Sequence, residues 1–186
     1  MNNIKLDSFK KKYFTHAKKH ALYKNILKTN GNIVFGKGSD SPKIVFIGEA
    51  PGQNENKQGK PFVGRSGKLL DKWIINLGLK ETDYRIINVV PIIPLNKANG
   101  IRPPSKEEIN YFFPITIEYL SLLNPIIIVL LGKSAASIFD KSLKVGETKK
   151  TMDYSIFFIY HPSYYIRRGG KGFEDTLDKL KVFLEK

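Results

Sequence analysis

At 186 residues and 41% hydrophobic content, the chain is sized for one domain with a complete core. It has no cysteine, which excludes disulfides and cysteine-ligated metals, and its longest apolar run, Pro125 to Leu131, is too short to span a bilayer. Its 31 lysines and arginines against 17 acids give a net charge of +14, which favours a polyanionic partner through phosphate contacts and counterion release; Lys-rich composition bias is the competing explanation.

The opening residues, Met1-Asn2-Asn3-Ile4-Lys5, lack the apolar stretch of a secretory signal. With the missing cysteines, this points to a cytoplasmic or nucleoid-associated protein. Residues 1–31 read as a basic helical segment, with Phe9, Tyr13, Ala17 and Ala21 at helical spacing. His16 and His20 share its i,i+4 spacing but sit among lysines without an adjacent acid, so they read as a surface face rather than as metal ligands. Ile33-Val34-Phe35 is a short apolar run closed by Gly36-Lys37-Gly38, and Ser41-Pro42 breaks the chain before the first strand, Lys43–Ile47.

A long loop rich in glycine and polar residues follows, from Gly48 to Gly64. Ser66 is placed to cap a helix through Leu70, Trp73 and Ile74, which Gly78 stops. Tyr84–Val90 is the second strand, and a proline-rich loop runs from Pro91 to Pro104. Ser105-Lys106-Glu107-Glu108 is a capping box that starts a helix to about Leu123. Ile126–Leu131 is a third, buried strand whose Gly132-Lys133-Ser134 turns into a helix; Lys141–Thr151 reads as polar and irregular. Ser155–Tyr160 is the last strand, and Leu177, Leu180 and Leu184 define a C-terminal amphipathic helix. Four strands alternating with helices predict an α/β fold: a single-domain three-layer α/β/α sandwich over residues 1–186, with a central, mostly parallel four-stranded sheet.

In such a sheet the loops at the carboxyl ends of the strands form the ligand crevice. Two segments would meet there: Gly48-Glu49-Ala50-Pro51-Gly52 after the first strand, and His161-Pro162-Ser163 after the last. The first loop carries two carboxylates, Glu49 and Glu55, and an aromatic ring, Phe62, which suits either a core plug or a platform for a flat ligand. It lacks the spacing of a P-loop. Asn88, at the end of the second strand, offers donors and an acceptor in one plane, a geometry suited to the edge of a base and equally to a turn. Proline after His161 holds that histidine in extended backbone, where it can donate to developing negative charge. Tyr164, Tyr165, Ile166, Arg167 and Arg168 after it could enter a duplex and clamp phosphates.

Taken in order, these segments resemble the uracil-DNA glycosylase superfamily, closest to its family 4. The resemblance runs from about Asn32 to the C-terminal helix. It includes Val34-Phe35-Gly36-Lys37-Gly38, Gly48 to Gly52, Gly59-Lys60-Pro61-Phe62-Val63-Gly64-Arg65-Ser66-Gly67, Ile87-Asn88-Val89-Val90, Arg102-Pro103-Pro104 and His161-Pro162-Ser163. It implies that Glu49, Ala50 and Pro51 line a uracil pocket, that Phe62 stacks on the base, that Asn88 bonds its polar edge, and that His161 stabilises the departing uracil anion. Glu49, Glu55 and His161 would be catalytic, the glutamates positioning or activating water. Residues Ser163 to Arg168 would contact DNA, one of Tyr164, Tyr165 and Ile166 acting as a wedge. The implied activity is a monofunctional glycosylase acting as a monomer on uracil in single- or double-stranded DNA, with no cofactor, metal or membrane. The alternative is a catalytically weak DNA-binding relative serving replication or repair.

The chain departs from the family 4 pattern in several places. Family 4 members typically hold an iron–sulfur cluster on four cysteines; aligning the motifs puts two of those positions at Ile92 and Phe112 and the first pair near Ala17 and His20. A cluster-free member with packing in the cluster's place is expected. Asn56 stands where aspartate is usual, and Ala50 stands where family 1 enzymes have an aspartate base. No second histidine follows His161 closely, so stable covalent capture of DNA is not expected.

Overall fold

The computed structural model describes residues 2–140 and 142–185; Met1, Lys141 and Lys186, which fall in the expected N-terminal, irregular and C-terminal segments, lie outside the described residues. The chain begins with α1 (Asn2–Lys19), α2 (Tyr23–Thr29), β1 (Lys37–Gly38) and β2 (Ile44–Gly48). Next come α3 (Gln53–Gln58), α4 (Arg65–Asn76), β3 (Tyr84–Asn88), α5 (Lys106–Leu123) and β4 (Ile127–Leu131). It ends with α6 (Lys133–Phe139), β5 (Thr148–Lys150), β6 (Ser155–Ile159), α7 (Pro162–Ile166) and α8 (Glu174–Leu184).

The sheet order is β1-β3-β2-β4-β6-β5. The four inner strands are parallel and are the four read from the sequence. The outer two are additions: β1 pairs antiparallel with β3, and β5 antiparallel with β6. Strands of two and three residues are too short to show a period, and the exposed lysines of β5 suit an edge that must not recruit another strand.

Buried parallel strands divide their side chains between two cores. Val45 and Ile47 of β2, Ile128 and Leu130 of β4, and Ile156 and Phe158 of β6 join α1, α2, α5 and α6 on one face. Ile44 and Phe46, Val129 and Leu131, and Phe157 and Ile159 join α4, α7 and α8 on the other. The result is the expected three layers.

Local departures have local causes. The chain breaks between α1 and α2, so the apolar stripe ends at Ala17; Leu22 is buried in place of the exposed Ala21. Ile33-Val34-Phe35 is buried without forming a strand, Val34 N–H donating to Pro91 O at 2.9 Å. The loop after β2 contains the short helix α3, and α4 is capped by Gly64, two residues ahead of the expected Ser66. Ser105 caps α5 as expected: its hydroxyl accepts from Glu108 N–H at 3.2 Å, and its own N–H donates to the Glu108 carboxylate at 2.7 Å.

Candidate functional site

The carboxyl ends of β2, β3 and β6 open into a cavity of about 530 Å³, lined by Glu49, Ala50, Pro51, Phe62, Asn88 and His161 among others. Glu55 and Ser163 also line it. Residues separated by more than a hundred positions thus share one pocket, as the strand-end rule requires.

Phe62 is built into its position. Its φ is +52°, a left-handed conformation that costs energy for a residue with a side chain. Lys37 Nζ donates to its carbonyl at 3.2 Å, and a side chain at Gly67 would lie 1.9 Å from that same oxygen. A Cβ at Gly48 would lie 2.6 Å from the Phe62 ring and 2.6 Å from Asn88 Oδ1. The glycine at the end of β2 therefore leaves the space in which ring and amide stand side by side, Asn88 being its register partner on β3.

Asn88 is only 4% exposed, and its Oδ1 has no hydrogen-bond partner among the described residues. A buried acceptor left unpaired costs free energy that a ligand N–H would recover.

Glu55 works on the loop. One oxygen accepts from the N–H groups of Val63 at 2.9 Å and Gly64 at 2.8 Å, and the other from Gly52 N–H at 3.1 Å. The carboxylate thus ties the start of α3 to the start of α4 and shapes the cavity wall around Phe62. Glu49 differs. Its Oε1 accepts from the Ser134 hydroxyl at 2.7 Å, while its backbone carbonyl is held by Val90 N–H at 3.0 Å.

His161 has φ −57° and ψ 140° and caps α7, with Pro162 as the first helical residue. Ser163 N–H, which can only donate, points to His161 Nδ1 at 3.1 Å, and the Ser163 hydroxyl lies 2.8 Å from the same nitrogen. Nδ1 is therefore the acceptor, and the neutral ring carries its proton on Nε2. Burial, reinforced by the nearby Arg167 charge and opposed by Glu55, pushes the His161 pKa down to about 4. At neutral pH this is a neutral donor. Its ring centroid lies 5.4 Å from that of Phe62.

The segment after His161 is helical, and this sorts the expected DNA-contacting residues. Tyr165 is 3% exposed and packs its ring against Trp73 and Phe173, so it belongs to the core and does not reach solvent as a wedge would. Tyr164 and Ile166 are half-buried, and Arg167 and Arg168 are exposed. Arg168 lies 5.4 Å from the centroid of the Tyr164 ring. Asn56 is not among the cavity-lining residues: it is the buried residue of α3, and its amide donates to Thr29 Oγ1 at the end of α2 at 2.9 Å.

The uracil DNA glycosylase superfamily model matches residues 35–185. The chain belongs to this superfamily. It is 34% identical over 166 residues to the type-4 uracil-DNA glycosylase of Thermotoga maritima, spanning 83% of this chain and 84% of the relative. It is also 34% identical over 154 residues to that of Archaeoglobus fulgidus, 76% of this chain and 75% of the relative. With the Sulfurisphaera tokodaii enzyme it shares 43% over 149 residues, 71% of this chain and 64% of the relative.

The iron–sulfur cluster that the family 4 likeness implies does not fit the residues present. No thiol exists to ligate iron. Ala17, Ile92 and Phe112 are all wholly buried in one apolar cluster. The fourth position, His20, packs its ring 5.1 Å from Phe112 and 4.6 Å from Tyr111. His16 stacks on Tyr111 at 4.5 Å. The expected surface face of these histidines is thus a half-buried aromatic stack joining α1 to α5, and burial lowers the His20 pKa.

Several residues in or behind the cavity wall were not singled out from sequence. Arg65 lines the mouth from the start of α4. Arg102 also lines it, but its guanidinium is engaged by the Glu108 carboxylate and the Leu95 and Pro103 carbonyls, so it fastens the Pro91–Pro104 loop. Its place in an Arg-Pro-Pro segment just before a capping box was the available signal. Ser134 carried none, because it reads as an ordinary helix-start residue.

Proposed function

We propose that this protein is a DNA repair glycosylase that hydrolyses the N-glycosidic bond of deoxyuridine in DNA, excising uracil and leaving an abasic site. The observation that carries the reading is the pairing of two complementary groups in one cavity: the unpartnered Asn88 Oδ1 and the neutral His161 with its proton on Nε2. Uracil presents an N3–H for the first and an O2 acceptor for the second, and the Phe62 ring offers a face for its flat surface.

The target nucleotide leaves the base stack, at a cost of a few kcal/mol, and enters the cavity. The bond between C1′ and N1 breaks, its electron pair passing to the uracil ring, where charge accumulates at O2. His161 Nε2–H, already aimed and neutral, stabilises that charge without first having to lose a proton. Glu49 stabilises the cationic sugar and orients a water, which adds to C1′; the proton this water loses passes through solvent to the uracil anion, giving neutral uracil. Glu55 shapes the loop that holds Glu49 and Phe62. No lysine enters the scheme, so strand cleavage is not part of the activity.

The exposed Arg167 and Arg168, with Ser163, would contact DNA phosphates, and Tyr164 or Ile166 would fill the gap left by the flipped base. The working unit in this proposal is a monomer. No helix among the described residues is long and apolar enough to cross a membrane; the reading puts the protein with DNA, in the cytoplasm or nucleoid.

The test uses uracil-containing single- and double-stranded oligonucleotides, with alkali to cleave abasic sites. Alkali-dependent product from uracil strands and none from thymine strands is expected. Salt-sensitive binding with no product at enzyme excess would instead favour a non-excising accessory protein.

A further inference from the structure

The sheet order places β4 between β2 and β6, so the turn leaving β4 lies between the Glu49 loop and the His161 turn. Gly132 takes that turn at φ +98°, its N–H donating to Ile159 O at 2.8 Å. A Cβ on Gly132 would come within 3.0 Å of His161 Cβ, so the turn passes directly against the histidine. Two residues later Ser134 Oγ donates to Glu49 Oε1 at 2.7 Å. Glu49 lines the cavity; Ser134 stands behind it and does not.

We infer that Ser134 is a positioning residue for the excision reaction, aiming the Glu49 carboxylate at the water and the sugar; the inference rests on the role given to Glu49 above. An ionised carboxylate only accepts, so the hydroxyl proton must point from Ser134 to Oε1. That bond is charge-assisted and holds one oxygen against α6, leaving the rest of the carboxylate to serve the cavity. A glutamate on a glycine-flanked loop would otherwise sample several rotamers, and holding it in place before reaction removes that entropy from the barrier. Because the anchoring turn also abuts His161, it keeps the group that acts on the sugar and the group that acts on the base in fixed relation.

The competing role is purely structural, as a polar residue in the first turn of α6. Single-turnover excision at saturating enzyme, and binding of the same uracil oligonucleotide by fluorescence anisotropy, separate the two. Ser134→Ala is expected to slow excision about tenfold or more, the scale of a lost hydrogen bond to a charged group, while the dissociation constant stays within about twofold. Ser134→Thr, which keeps the hydroxyl, restores the rate. In a Glu49→Ala background, which removes the acceptor, Ser134→Ala adds no further loss. The inference is overturned if Ser134→Ala keeps the full rate, if the loss lies in binding, or if it persists undiminished beside Glu49→Ala. An unmodified protein that leaves no abasic sites overturns the glycosylase reading and this one with it; an active protein indifferent to Ser134 overturns this one alone.

Discussion

The Phe62 ring stands in the space that a side chain at Gly48 would need, 2.6 Å from where its Cβ would lie. Real Cβ atoms do not approach their neighbours that closely, so Gly48→Ala must displace the ring, the Asn88 amide at the same distance, or both. The variant should keep its fold, because the strand backbone at position 48 is unchanged in register. Its uracil excision should fall at least tenfold, with the loss in both kcat and KM, as steady-state kinetics on a uracil oligonucleotide would show.

His161 should give an unusual pH profile. Its pKa is held at about 4, below the ordinary histidine value, so the neutral donor persists through mildly acidic solution. The excision rate should therefore stay level from about pH 8 to pH 5 and fall only as His161 gains a proton near pH 4. The stability sign agrees: the unfolded chain takes up this proton near pH 6.5 and the folded chain does not, so this contribution to stability is full above pH 6.5 and lost as pH falls towards 4. His161→Ala should cost about 100- to 1,000-fold in kcat, the usual scale for a lost oxyanion donor.

Glu55 separates a loop-holding role from direct chemistry. Glu55→Ala leaves the amides of Gly52, Val63 and Gly64 without their acceptor. Each unsatisfied amide that stays buried costs about 1–3 kcal/mol, so the melting temperature should drop by several degrees together with activity. Glu55→Gln keeps one acceptor oxygen and should fall between the two. A carboxylate acting only on water would cost rate without stability, and calorimetry distinguishes the cases.

The exposed arginines of the His161 segment should govern salt dependence. Replacing Arg167 and Arg168 by glutamine should weaken binding to uracil-containing and undamaged DNA alike. It should also flatten the plot of log affinity against log salt by about 0.7–0.9 for each phosphate that is no longer neutralised. Tyr165→Ala should behave differently: its ring sits in the core, so the loss should appear as destabilisation of about 3–5 kcal/mol. Salt titrations of DNA binding for the arginine variants, and denaturant titration of Tyr165→Ala, check both.

The purified protein should carry no bound iron and no visible charge-transfer absorbance, and Phe112→Ala should destabilise it by about 3–5 kcal/mol, because that ring occupies the core between α1 and α5. Elemental analysis and thermal melts test this.

Much of the molecule was readable in advance because its signals are local. The parallel strands β2, β4 and β6 are nearly continuous apolar runs, Ser105 and Glu108 lie three residues apart, and the rule that strand-end loops converge brings the Glu49 loop to the His161 turn, with the family resemblance adding Phe62 and Asn88 to the same pocket. What the amino-acid order could not convey was direction and partnership. It could not show that Tyr165 turns inward, that Asn56 faces Thr29, or that Glu55 spends both oxygens on backbone amides. Nor could it show that Ser134, 85 positions from Glu49, donates to its carboxylate. Each depends on which face of a short helix meets a distant strand end, and that is settled only when the two cores pack and fix the rotation of every element about the sheet.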